Sequence, residues 1–211
     1  MTELDLRRDL CRWAKRAWDR GLIGATEGNL SCRLSEDQIL ITPAGAIKAD
    51  VECEDLVVAN LNGEPLDGKE ASSEVLLHCS VYQERPDAGA VVHAHPPFAT
   101  GTALAGRAIP MGVLPEADVY LGPIAVVPFA IPGTEEVGAA VRPHLKDHKA
   151  ILLMNHGALT FGRTPGDAFC YMETLERVAT IYWVAETLGK AQGLPDFGAA
   201  WARARSSGGR I

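Results

Sequence analysis

The chain has 211 residues, of which 47% are hydrophobic and 22% are charged, and its formal net charge is −7. This length suits one globular domain, and the near-average proportions exclude a chain that is disordered throughout. The acidic balance, with no basic stripe to offset it, argues against a nucleic acid or an acidic membrane surface as a partner.

Cysteine spacing and hydropathy indicate the compartment. The five cysteines form no C-x-x-C pair, so we expect a cytoplasmic protein with free thiols. Residues 1–10 lack the apolar core of an export signal. Residues 88–106 carry no formal charge, but their two histidines and Pro96-Pro97 exclude an ordinary membrane helix. We therefore expect no membrane partner.

The first half of the chain alternates predicted helices with short predicted strands. Apolar residues at helical spacing predict helices, and short apolar runs between turn residues predict strands. In chain order these elements are a helix over 3–20, strands over 29–34, 39–42 and 56–61, and a helix from Ser72 to Tyr82. Asn62-Gly63 predicts a hairpin turn after the third strand.

The second half continues the same mixture. Its predicted elements are a strand over 89–95, a strand over 124–131, a helix from an N-cap at Thr134 to about 146, a strand over 150–155 and a helix from Pro165 to about 190. Pro128 weakens the strand over 124–131, because proline donates no backbone hydrogen bond. No linker or repeat interrupts the pattern, so we expect one α/β domain over 1–204 and a mobile tail over 205–211.

Three histidines lie at the ends of predicted strands. His93 and His95 are two residues apart in a strand, so their imidazoles project from the same face, as two nitrogen ligands of Zn²⁺ do. His156 follows another apolar strand, and Gly157 permits a sharp turn after it. If the two strands are neighbours, the three rings converge into a site of catalytic composition. Alternatively, one histidine of the His93 and His95 pair is packed and the other is hydrogen-bonded, and His156 is a surface residue at the end of its strand.

Ser72, Ser73 and Glu74 open a predicted helix. Two hydroxyls and the free N–H groups of a helix N-terminus make a phosphate cradle that needs no lysine or arginine. The alternative is an ordinary N-cap. Glu74 is a candidate metal ligand or general acid/base, and we expect His78, one turn further along, to support the site or the core.

Two glycine-containing turns flank the first predicted strands. Thr26-Glu27-Gly28-Asn29 precedes one strand and Thr42-Pro43-Ala44-Gly45 follows the next. Such turns can present backbone N–H groups to an anion, although most turns of this composition have no ligand.

Five segments, taken in order, carry a family pattern. They are Glu27-Gly28-Asn29-Leu30-Ser31, Ile41-Thr42-Pro43-Ala44-Gly45, Ser72-Ser73-Glu74, Val91-Val92-His93-Ala94-His95-Pro96 and Asn155-His156-Gly157. Together they resemble the class II aldolase/adducin superfamily, whose reference activity is that of L-fuculose-1-phosphate aldolase. The resemblance covers nearly the whole chain. It implies a three-layer α/β/α domain with a largely antiparallel central sheet, and a homotetramer with active sites at subunit interfaces.

The resemblance also implies a role for each matching residue. His93, His95 and His156 would bind Zn²⁺, with Mn²⁺ or Co²⁺ as alternatives, and Glu74 would be the acid/base that can also bind the metal. The residues expected to hold the substrate phosphate are Gly28, Asn29, Ala44, Gly45, Ser72 and Ser73. The implied reaction cleaves a short ketose 1-phosphate of the fuculose, 5-deoxyribulose or methylthioribulose type into dihydroxyacetone phosphate and an aldehyde.

One position departs from the pattern. Fuculose-type enzymes use a tyrosine of the neighbouring subunit as an acid, and our alignment places Leu114 there. Glu116 is the nearest titratable candidate for that role, with Tyr120 behind it. The alternative is a buried turn at an interface.

This departure leaves several activities open. The same scaffold supports 4-epimerisation of sugar phosphates, dehydration of methylthioribulose 1-phosphate and decarboxylation of 3-oxo-tetronate 4-phosphate. A further alternative is a non-catalytic interaction module like the adducin head domain. That head lacks the metal histidines, whereas all three and Glu74 are present here.

Overall fold

A seven-stranded sheet runs through the centre of the protein, in a computed structural model that describes residues 2–194. The strands are β1 (Asn29–Arg33), β2 (Gln38–Ile41), β3 (Val57–Asn60), β4 (Ala90–Ala94), β5 (Ile124–Val127), β6 (Ala150–Leu153) and β7 (Gly157–Gly162). Their order across the sheet is β3-β2-β1-β4-β7-β6-β5. Every neighbouring pair is antiparallel except β5 and β6, which are parallel.

Helices cover both faces of this sheet. They are α1 (Glu3–Asp19), α2 (Val75–Glu84), α3 (Pro97–Leu104), α4 (Glu135–Val141) and α5 (Pro165–Leu188), with a π-helical turn at Ala117–Leu121 and a 3₁₀ turn at Arg142–His144. One hydrophobic core joins the sheet to α1, α3 and α5, and a second joins it to α2 and α4. The expected three-layer α/β/α architecture with a largely antiparallel sheet is confirmed.

Alternation along β4 decides which layer the candidate site faces. Val92 and Ala94 belong to the core of α1, α3 and α5, whereas Val91 belongs to the core of α2 and α4. Side chains alternate between the faces of a strand, so His93 points toward α2. The N-terminal end of α2 therefore lies over the histidine end of the sheet.

Most predicted elements form, with shifted boundaries. Thr2, Thr134 and Thr164 cap α1, α4 and α5 through their hydroxyls, as the sequence suggests for Thr134. The prediction that Ser72 opens a helix is wrong, because α2 begins at Val75 and its N-cap, Glu74, makes no side-chain capping bond. The expected strand over 124–131 ends at Val127, before Pro128.

Other parts of the sequence prediction need correction. The helix expected to reach about 146 ends at Val141, where a 3₁₀ turn containing Pro143 follows. Asn62-Gly63 forms its turn, but the returning arm pairs only through a bridge between Ala59 and Pro65. The helix α3, the π-helical turn and β7 have no counterpart in the prediction.

Two expectations concern the ends of the chain and membranes. The domain boundary at 204 and the mobile tail over 205–211 lie outside the described residues. Among residues 2–194, no helix combines the length and apolar character needed to cross a membrane.

Candidate metal centre

Four potential ligands meet at one edge of the sheet. Glu74, His93, His95 and His156 each offer an atom, and these atoms all lie within 4.8 Å of one another. Glu74 stands at the start of α2, His93 lies on β4, and His95 follows that strand directly. His156 occupies the turn between β6 and β7. The sequence expectation that three distant imidazoles converge beside a glutamate is confirmed.

The unpredicted strand β7 explains this convergence. The strand before His156 is not a neighbour of β4, because β7 lies between them. β7 pairs antiparallel with β4, and Ala158 stands opposite Ala94. The turn that starts β7 is therefore held beside the end of β4, which brings His156 to the other two histidines.

Gly157 is required for close packing rather than for the turn. A Cβ at this position would lie 2.5 Å from His95 Cδ2 and 2.6 Å from the Ala94 carbonyl oxygen. The left-handed residue of the turn is Asn155, with φ of 57°, a conformation that asparagine tolerates better than most residues. The expected contribution of Gly157 is thus corrected: it leaves room for the imidazole of His95.

Hydrogen bonds fix which ring nitrogens carry protons. His93 Nδ1 lies 3.0 Å from the Ala158 carbonyl oxygen, and His95 Nδ1 lies 3.1 Å from Glu27 Oε2. Both oxygens only accept hydrogen bonds, so each Nδ1 donates its proton and leaves Nε2 to face the cluster. The two Nε2 atoms lie 3.1 Å apart. A cation held between the rings would bind both nitrogens.

The Glu74 carboxylate faces the same point. Its Oε2 lies 2.9 Å from His93 Nε2, and its Oε1 lies 3.1 Å from His156 Nε2. Oε1 is buried, and the His156 contact lacks hydrogen-bond geometry, so this oxygen has no hydrogen-bond partner among residues 2–194. A divalent cation at this point would be coordinated by one ligand atom from each of the four residues. Imidazole and carboxylate donors suit Zn²⁺, and also Mn²⁺ or Co²⁺.

The protonation states favour metal binding. Burial raises the pKa of the Glu74 carboxyl, but contacts with the Nε2-protonated forms of His156 and His93 outweigh burial and hold that pKa well below its ordinary value. Burial lowers the pKa of His95, and the nearby His93 lowers it further. A metal ligand must be a carboxylate or a neutral imidazole, so both shifts favour the ligand form.

The segments expected to hold a phosphate lie beside this cluster. Thr42 links them: its hydroxyl accepts the Leu30 N–H at 3.3 Å, and its carbonyl accepts the Ser72 N–H at 3.3 Å. Thr42 thereby joins the strand that follows Gly28 and Asn29 to the Ser72-Ser73 segment, and Asn29 Nδ2 lies 3.2 Å from Glu74 Oε2.

Two members of this phosphate set have a defined backbone role. Gly28 has a φ of +67°, and a Cβ there would lie 2.4 Å from Ile23 Cγ2, so only glycine fits. The N–H of Ala44 already donates to the Glu70 carbonyl, which removes one of the expected anion donors. Gly45 and Ser73 are exposed to solvent.

Two charged residues at the site, Glu27 and Lys48, were not predicted from the sequence. Glu27 accepts the Gly24 N–H through Oε1 while its Oε2 holds His95. Lys48 is only 2% exposed, and its Nζ donates to the carbonyls of Thr26 at 2.7 Å and Ala46 at 2.8 Å. Lys48 therefore ties one glycine turn to the other.

The environment of Lys48 offered no sequence signal. Burial lowers the pKa of its ammonium, and the carboxylates of Glu27 and Glu74 oppose that shift. A single lysine in an otherwise apolar stretch gives no periodicity to detect, because its partners are backbone carbonyls. Glu27, by contrast, adjoins the Gly28-Asn29 turn, and its position in that family segment could have indicated a role at the site.

The structure does not bring Glu116 into the cluster. Glu116 is exposed and lines a groove of about 860 Å³ together with Leu114 and Tyr120. The opposite wall is α5, and none of the four clustered residues lines this groove. Within the described chain, Glu116 therefore lies outside the metal cluster.

Comparison with known proteins agrees with this fold and site. The profile of the family described as the class II aldolase and adducin N-terminal domain matches residues 8–183. The chain belongs to this family. It is 35% identical to a 5-methylthioribulose-1-phosphate/5-deoxyribulose-1-phosphate aldolase of Rhodospirillum rubrum, over 92% of this chain and 87% of the relative.

Two further proteins illustrate the range of the family. A 3-oxo-tetronate 4-phosphate decarboxylase of Escherichia coli K12 is 30% identical over 86% of this chain and 88% of its own length. An L-fuculose 1-phosphate aldolase structure superimposes with a TM-score of 0.84 and 29% identity, and 96% of each chain is covered. The expected resemblance to fuculose aldolase is confirmed, and the relatives indicate an enzyme.

Proposed function

We propose that this protein is a zinc-dependent class II aldolase that cleaves a short ketose 1-phosphate into dihydroxyacetone phosphate and an aldehyde. The observation that carries the proposal is the cluster of three imidazoles and one carboxylate, whose ligand atoms all lie within 4.8 Å of one another. Support for the substrate class comes from the Rhodospirillum relative, which acts on 5-methylthioribulose and 5-deoxyribulose 1-phosphates.

The chain's own residues divide the work of this reaction. His93, His95, His156 and Glu74 would hold the ion, and when bound, Zn²⁺ supplies Lewis acidity that polarises the substrate carbonyl. The neighbouring turns that contain Gly28, Asn29, Ala44, Gly45, Ser72 and Ser73 would hold the phosphate and so fix the position of the reacting carbons.

Proton transfer is the second task. Glu116 of the neighbouring subunit would accept the C4 hydroxyl proton as the C3–C4 bond breaks and the aldehyde half leaves. Glu74, whose low pKa keeps it ionised at rest, would take up a proton from solvent and deliver it to C3 of the phosphate half.

A second candidate function is decarboxylation of a 3-oxo-tetronate 4-phosphate. It is favoured by the Escherichia coli relative, whose identity to this chain is 30%. The two reactions share the metal and phosphate sites but differ in the group that leaves. Epimerisation and dehydration remain alternatives of the same metal chemistry.

A substrate panel with product detection tests the proposal. Metal-loaded protein is incubated with methylthioribulose, 5-deoxyribulose and fuculose 1-phosphates, with a pentulose 5-phosphate and with a 3-oxo-tetronate 4-phosphate. We expect dihydroxyacetone phosphate from at least one ketose 1-phosphate. Release of carbon dioxide or water alone, or conversion to an epimer, would contradict aldol cleavage.

The assembly and location are part of the proposal. We propose a cytoplasmic homotetramer of single-domain subunits, with active sites completed at the interfaces. The position of Glu116 in a groove away from the cluster is consistent with a role in another subunit's site. Light scattering should give a mass of four chains, and a stable monomer with full activity would exclude interface sites.

A further inference from the structure

A buried line of hydrogen bonds leads away from the metal cluster between the sheet and α2. Asn29 and Ser31 on β1 face His78 and Tyr82 on α2, and none of the four is more than 4% exposed. Asn29 Nδ2 lies 3.2 Å from Glu74 Oε2, and Asn29 Oδ1 lies 2.5 Å from His78 Nε2. His78 Nδ1 is 2.6 Å from Ser31 Oγ, which is 2.7 Å from the Tyr82 hydroxyl.

The direction of each bond follows from the last acceptor. Asn29 Nδ2 donates to Glu74 Oε2, which places the NH₂ group toward the carboxylate and the amide oxygen toward His78. That oxygen needs a donor, so the proton of His78 sits on Nε2. Nδ1 then accepts from the hydroxyl of Ser31, which in turn accepts from Tyr82.

We propose that His78 is a positioning residue, which holds the amide of Asn29 with its N–H groups toward Glu74 and the substrate phosphate. The part of this inference that concerns phosphate rests on the proposed function. A reversed amide would point a carbonyl oxygen at the carboxylate and at the anionic substrate, and both contacts would be repulsive.

This line of hydrogen bonds orients its groups but does not conduct protons. An amide oxygen carries no proton, and passing one from it to the nitrogen would need the unfavourable imidic-acid form, so Asn29 interrupts any relay from Tyr82 to Glu74. Burial lowers the pKa of His78 to about 3, which keeps the ring neutral at physiological pH. A neutral ring with one donor and one acceptor is what this line of bonds requires.

The tautomer of His78 is the first test. Nitrogen-detected NMR of protein labelled with ¹⁵N-histidine should show His78 with a protonated Nε2, a bare Nδ1 and no titration between pH 5 and pH 8. Assignment uses the signal lost in His78→Gln. A proton on Nδ1, or protonation of both nitrogens in this range, would overturn the proposal.

The second test compares variants through binding of inorganic phosphate to the zinc-loaded protein. His78→Leu removes the donor to Asn29, and we expect phosphate affinity to fall about tenfold, the size of one lost hydrogen bond to a charged group. His78→Gln retains an N–H donor and should recover most of this loss. Rescue of this kind is not expected if His78 only fills space.

Ser80→Ala is the matched control on the same helix. Ser80 is 3% exposed, and its hydroxyl donates to the Leu76 carbonyl within α2 rather than toward the site. Thermal unfolding first shows that the Ser80→Ala variant and the wild type are both folded. The variant should then bind phosphate with the affinity of the wild type. Equal losses in His78→Leu and Ser80→Ala, or no rescue by glutamine, would contradict the positioning role.

These results separate this inference from the proposed function. Wild-type protein that binds no phosphate contradicts the proposed phosphate site, while the NMR tautomer still decides whether His78 orients Asn29. Conversely, aldolase activity with a Nδ1-protonated His78 would retain the function and discard the inference.

Discussion

The histidine cluster and the Glu116 segment differ in how firmly the rest of the fold determines them. His93 is fully buried, its Nδ1 is held by Ala158, and β7 fixes His156 beside it. Glu116 is exposed beside a π-helical turn, and its carboxylate makes no hydrogen bond within residues 2–194. The fold of one chain thus fixes all four candidate metal ligands, whereas Glu116 is not held in place by hydrogen bonds within the described residues.

Loss of one imidazole should have the largest effect. His95 is only partly buried, so His95→Ala should fold, yet it removes one of three nitrogen ligands. We expect loss of stoichiometric metal after dialysis against a chelator, and no measurable turnover. Metal analysis and steady-state kinetics check this, with His148→Ala as the control on a histidine outside the cluster. A metal-loaded, fully active His95→Ala would refute the ligand assignment.

Removal of the Glu74 charge should separate binding from chemistry. In Glu74→Gln the shape of the side chain is kept, but the proton donor is lost, so kcat should fall by about 10²–10⁴. Affinity for inorganic phosphate should change much less, because the phosphate turns remain. An unchanged kcat would exclude Glu74 from proton transfer.

The support of His95 by Glu27 should have an intermediate effect. Glu27→Gln weakens the acceptor of the Nδ1 proton, and changes of this kind lower metal affinity by about 10–100-fold. Competition with a chromophoric chelator measures the affinity. Glu36→Gln, at an exposed glutamate in the β1–β2 loop, is the control. Equal affinities in the two variants would show that Glu27 does not act through His95.

The smallest effect is expected at Glu116. In Glu116→Ala we expect kcat to fall about tenfold, less than the ~10²–10⁴ of a buried acid, because water reaches this position. Metal content should be unchanged, which distinguishes this region from the histidine cluster. A fall in metal content, or no change in kcat, would contradict the assignment of an interface acid.

Local signals in the sequence were enough for the long helices, whereas the candidate ligands also needed the family resemblance. The amphipathic pattern predicts a helix over 3–20, and α1 spans Glu3–Asp19. The long helix predicted from Pro165 to about 190 is α5, which spans Pro165–Leu188. The order of the family segments identified Glu74 and the three histidines, which the structure brings together.

Features that depend on tertiary packing were not predictable in this way. β7 begins and ends with glycine and has Thr160 in its middle, so its sequence is more typical of a loop than of a strand. In the structure, both β4 and β6 pair with it. Glu27 and Lys48 act through contacts with His95 and with backbone carbonyls distant in sequence. Such contacts leave no periodic pattern, because they exist only once the sheet has formed.

Metal stoichiometry of the purified wild-type protein, followed by X-ray absorption at the bound ion, tests the central claim most directly. The account predicts one divalent ion per chain, with three imidazole nitrogens and at least one oxygen as ligands. A protein that contains no stoichiometric divalent ion, and takes up none when zinc is added, would contradict it and favour a non-catalytic scaffold.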